Sequence, residues 1–93
     1  MYRDEPLDDE AELRDLVGDE AVDRLLDGGG SDALLGALDA LRILQGWVDP
    51  EACAEWLTTG QRRLVGRSPL EALGDGAQED VQDVLRAFVA AQS

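Results

Sequence analysis

The sequence predicts an all-α fold, a small helical domain of about five to six short helices. Three observations carry that prediction. Apolar residues recur at helical spacing, as in Val81, Val84, Leu85 and Phe88, and no stretch alternates apolar with polar as a half-buried strand would. Glycine and proline punctuate the chain at short intervals. Apolar residues make up 44% but aromatic ones only 4%, so the core must be built from Leu, Val and Ala, which suit helices.

The elements follow in order. From Asp8 to Val17, Leu13, Leu16 and Val17 fall at helical spacing behind N-terminal acids that favour the helix dipole, and Gly18 ends the segment. Asp19 is placed to cap a second segment carrying Ala21, Val22, Leu25 and Leu26, which Gly28-Gly29-Gly30 should stop. Ser31 then opens the longest helix, read to about Val48, with Leu34, Leu35, Leu38, Leu41, Leu44 and Val48 as a broad apolar face. Asp49-Pro50-Glu51 starts the next, which runs to about Thr58 and turns Ala52, Cys53, Trp56 and Leu57 inward. Ser68-Pro69-Leu70-Glu71 reads as a capping box for a short helix that stops at Gly74. A last amphipathic helix is expected from about Gln78 to Ala91.

Composition restricts function. The chain has 21 acids against eight Arg, with no Lys, His or Asn, for a net charge of −13. Such a surface repels phosphate backbones, so nucleic acid is not expected to bind this chain alone, although a GC-rich genome or a salt-loving host would leave the same acidic bias. No apolar run is long enough for a membrane span, and the first residues lack the basic-then-apolar order of a secretory signal, which points to the cytoplasm. Cys53, without a second Cys or a His, offers neither a disulfide nor a zinc site and reads as a small core residue. Carboxylate pairs are inevitable among so many acids and single out no acid–base pair. The glycine run before Ser31 lacks the lysine of a phosphate loop. No enzyme activity, cofactor or metal is expected.

One segment stands apart, W-L-T-T-G-Q-R-R-L-V-G-R-S-P-L-E-A-L from Trp56 to Leu73. It resembles the pattern W-L-x-x-P-N-x-x-L-x-G-x-x-P-L-x-x-L of the toxin-binding domain in Xre/MbcA/ParS-like antitoxins. The match falls at Trp56, Leu57, Leu64, Gly66, Pro69, Leu70 and Leu73 without a gap. The chain departs from the family at Gly60-Gln61, usually Pro-Asn, and at Arg62-Arg63, commonly Pro and a small residue. The motif residues also have structural duties: an anchoring Trp-Leu pair, a turn glycine and a helix-opening proline.

The resemblance implies a non-catalytic antitoxin-like module that neutralises a RES-domain, NAD-degrading toxin by protein–protein contact. It assigns residues 34–93 to the toxin-binding domain. Residues 1–33 become an acidic helical segment standing where such proteins usually carry a helix-turn-helix, here reduced or lost. Family members contact the toxin through the C-terminal part of the domain, which makes Phe88, Gln92 and Ser93 candidate contacts. Arg62, Arg63 and Arg67, the only basic cluster, join them as groups able to pair with a partner's carboxylates, or else with acids of this chain itself. Two other readings stay open: an acidic adaptor or nucleic-acid mimic that occupies a basic partner, and a truncated transcription regulator acting as a homodimer.

Overall fold

Helices account for all the regular structure among the described residues, and there is no strand. The computed structural model describes residues 6–92, with side chains from residue 10 onward. The elements are α1 (Pro6–Val17), α2 (Asp19–Gln45), α3 (Pro50–Thr58), a 3₁₀ turn (Arg62–Leu64), α4 (Pro69–Gly74) and α5 (Gln78–Gln92). None is long and apolar enough to cross a membrane.

α2 is the spine, because α1, α3, α4 and α5 all pack against it. Leu13, Val22, Leu25 and Ala33 share one buried cluster with Leu44, Cys53, Leu57, Leu64, Leu73 and Val81, so residues before and after position 34 close the same core. The first and last helices are tied to the spine by side chains. Arg14 of α1 reaches Glu10 at 3.1 Å, Asp19 at 3.3 Å and Asp23 at 3.2 Å, linking α1 to the start of α2. Its hydrogen bond to Glu10, then those to Asp19 and Asp23, raise the guanidinium pKa against an opposing desolvation. Gln45 donates to Glu12 at 2.7 Å, and Gln78 of α5 donates to the Asp32 carbonyl at 3.0 Å.

α2 departs from expectation in several places. The chain stays helical through Gly28 and Gly29 and breaks only at Gly30, whose φ of 67° and ψ of −154° lie in a region essentially reserved for glycine. Gly28 and Gly29 have a different duty. A Cβ on Gly28 would sit 2.7 Å from the Gly74 carbonyl oxygen, and one on Gly29 would sit 2.9 Å from that of Leu73 and 2.5 Å from Ala33 Cβ. The last turn of α4 thus lies directly on the glycine pair. The helix also ends at Gln45, earlier than Val48, where the Gly46 and Trp47 amides switch to partners three residues back, Ile43 O at 3.1 Å and Leu44 O at 2.9 Å. Asp19 does not cap; Gly18 occupies that position and Asp19 serves Arg14 instead. The broad apolar face narrows, since Leu38, Leu41 and Leu44 are buried whereas Leu35 and Ile43 are exposed.

The later helices start where the residues dictate. Asp49 accepts the Ala52 amide at 2.9 Å with Pro50 in the first turn of α3. Ser68 and Glu71 close both halves of the capping box on α4, at 3.1 and 2.8 Å. α4 ends in a Schellman arrangement, with Gly76 at φ 88°, the Gly76 amide on Leu73 O at 3.0 Å and the Ala77 amide on Ala72 O at 2.9 Å. Cys53 is buried in the core, its Sγ 3.9 Å from the Val48 carbonyl. Desolvation, aided by the charges of Asp49 and Glu12, pushes its thiol pKa up.

Candidate functional site: the connector between α3 and α4

The connector from Thr59 to Ser68 is a loop closed on itself. α3 ends with the hydroxyls of Thr58 and Thr59 bonded to the Ala54 and Glu55 carbonyls at 2.8 and 2.6 Å. The loop then doubles back so tightly that a Cβ on Gly60 would lie 2.5 Å from the Gly66 carbonyl oxygen. The Gln61 amide donates to Arg67 O at 3.0 Å and the Gly66 amide to Gln61 O at 2.9 Å, which closes the neck. Between them the 3₁₀ turn is held by the Leu64 amide on Gln61 O and the Val65 amide on Arg62 O, both at 3.0 Å. Leu64 is the inward anchor, fully buried.

At the tip the chain does something its residue opposes. Val65 has φ 60° and ψ 39°, the left-handed region, where a β-branched side chain is an outlier, and it is 85% exposed. The neck hydrogen bonds impose this conformation, and Gly66 follows at φ 83°.

The basic cluster divides in two. Arg67 is an internal clamp: its Nε donates to Leu64 O at 2.9 Å and its guanidinium pairs with Asp75 at 3.0 Å. For Arg67 the alternative of pairing with this chain's own acids is the one realised. Arg62 and Arg63 are exposed and make no ion pair among the described residues, although acids outnumber arginines on this chain. Arg14, Arg24, Arg67 and Arg86 each have a carboxylate partner.

The motif residues build the platform under this loop. Trp56, 8% exposed, packs its ring against Phe88 of α5 with centroids 5.9 Å apart and planes tilted by 51°. Leu57, Leu64, Pro69, Leu70 and Leu73 are buried, and Gly66 supplies a positive φ. The 3₁₀ turn packs on α5, so loop and final helix are neighbours. Phe88 is half-buried and lies on the core side of α5, while Gln92 is exposed at its end. Ser93 lies outside the described residues.

The residues alone gave no signal for Val65, nor for the exposure of Trp47, 47% accessible where α2 turns into α3. Two clefts flank the platform. One of about 420 Å³ lies between α2, α3 and α4, lined by Arg24, Gly28, Arg67 and Glu71, but its Arg67 and Glu71 are already engaged in the loop clamp and the capping box. The other, of about 270 Å³, lies between α2 and α5 with Ile43 and Leu85 in its lining. No group of three metal-ligating side chains occurs among the described residues. The arrangement is a small all-α domain presenting a hydrogen-bonded loop that carries Arg62, Arg63 and Arg67. No family model, curated protein or solved structure matches the chain.

Proposed function

We propose that this chain is a non-catalytic, antitoxin-like binding module that acts in the cytoplasm and neutralises a RES-domain, NAD-degrading toxin by covering it with the α3–α4 connector and the end of α5. The supporting observation is the ungapped Trp56–Leu73 motif. Its matching positions other than Gly66 form a buried platform, while the positions between them place Arg62 and Arg63 outward, with no ion pair among the described residues. Two guanidinium groups without an ion pair among the described residues, on a chain of net charge −13, are well suited to carboxylates on another protein.

The test is co-expression with a RES-domain toxin, taken from the reading frame beside this chain's gene if that frame encodes one. The expected result is restored growth, preserved NAD and a co-purifying complex. Undiminished toxicity without complex formation sinks the proposal. An acidic adaptor or nucleic-acid mimic is the second reading, favoured by the charge itself. It predicts capture of a basic partner unrelated to such toxins, lost at moderate salt.

A further inference from the structure

We propose that Val65 is a preformed apolar knob which, flanked by Arg62 and Arg63, seats in a small apolar pocket rimmed by carboxylates on the partner protein. This rests on the reading of the chain as a protein-binding module, and it names the chemistry of the surface recognised.

Three observations converge on the tip. Val65 is the most exposed large apolar side chain among the described residues, yet it sits on a loop closed by backbone hydrogen bonds from Gln61, Leu64, Val65 and Gly66. The side chain is therefore presented on a rigid base, and little conformational freedom is left to lose on binding. The left-handed backbone at φ 60° and ψ 39° is one that Asn, Asp or Gly adopts readily and valine does not, so the apolar side chain is present there against the local backbone preference. Finally, Arg62 and Arg63 on the same turn make no ion pair among the described residues of an acid-rich chain.

The class of partner follows from charge. Duplex DNA or an anionic membrane presents an extended field that the rest of this surface, at −13, repels. A localised acidic rim around an apolar hollow engages only the tip. Apolar contact at the centre with charge pairing at the edge is the usual division between affinity on one hand, association rate and specificity on the other.

Val65→Asn separates binding from folding, because Asn tolerates the left-handed backbone but removes the apolar surface. With a RES-domain toxin as the probe, this variant should melt at or above the parent temperature and bind at least about tenfold more weakly, a loss the size of one buried apolar anchor. Val65→Ile, which keeps the knob, should bind within about threefold of the parent, since only one methylene is added. Arg62→Glu with Arg63→Glu should weaken binding most at low salt. If the parent binds and Val65→Asn binds equally well, the knob is refuted while the functional proposal stands. If the parent does not bind the toxin at all, both fail. Binding of the parent tip to duplex DNA or phosphatidylserine vesicles, lost in the Arg variants, also overturns the assignment to a protein pocket.

Discussion

Trp56 joins core and connector in a single side chain. It is buried on α3, its ring lies against Phe88 of α5, and the next residue, Leu57, is fully buried beside it. Truncating such a side chain removes both its transfer free energy and the contacts around the space it leaves. Trp56→Ala should therefore lose about 3–5 kcal/mol, read as a fall in the denaturation midpoint at unchanged slope. A variant that unfolds at the parent's midpoint would place Trp56 outside the core. The arginines show the opposite logic at the same scale. The Arg67 side chain holds the loop by two hydrogen bonds, from Nε to the Leu64 carbonyl and from Nη1 to Asp75, whereas the side chains of Arg62 and Arg63, one turn away, make no ion pair among the described residues.

Among the elements, α2 and α4 are fitted by glycine. Alanine at Gly28 or Gly29 would gain about 1 kcal/mol of helix propensity but drive a methyl into the α4 backbone, an overpacking that costs about 1–3 kcal/mol, so both variants should be less stable. Gly30→Ala should lose about 1–3 kcal/mol for a different reason, its positive φ, since nothing crowds the site. Gly46→Ala is the control: at φ −77°, with a Cβ meeting only the Ile43 carbonyl oxygen at an ordinary 3.5 Å, it should be neutral or up to about 1 kcal/mol more stable. Thermal melts of the four variants check the series. The starts of α3, α4 and α5 were legible in the sequence because Asp49-Pro50, Ser68-Pro69-x-Glu71 and the Val81-to-Phe88 spacing act over a few residues. The glycine run read only as a stop, since its second role depends on the backbone of Leu73 and Gly74, more than forty positions away. At the connector, the Arg cluster was visible but its division was not, because Asp75 meets Arg67 only once α4 is in place. Val65 was invisible because its conformation contradicts its own preference.

The whole molecule carries a charge problem. With 21 acids and eight Arg, most carboxylates have no cation to meet, and their mutual repulsion opposes the compact state. Salt also weakens the exposed ion pairs, but each of those contributes only about 0.2–1 kcal/mol and they are few. Screening of the repulsion should win. The melting temperature is expected to rise between about 20 mM and about 500 mM NaCl, as the screening length shrinks severalfold. A melting temperature that falls over this range would show that the Arg14 network and its like outweigh the repulsion.

Cys53 turns this fold into its own kinetic reporter. The sole thiol of the chain is buried in α3 and its pKa is raised by desolvation, so a thiol reagent at mildly alkaline pH has nothing to attack until the core opens. The sign of the linkage is the same: the folded chain keeps the proton where the unfolded chain sheds it, so this small stabilisation is full below the unfolded pKa and fades as pH rises through the folded one. When closing is faster than labelling, the modification rate measures the open population directly. Trp56→Ala should then accelerate labelling by about a hundredfold to a few thousandfold, its lost 3–5 kcal/mol expressed as opening. Labelling of the parent far faster than its global unfolding allows would locate a separate, local opening of α3.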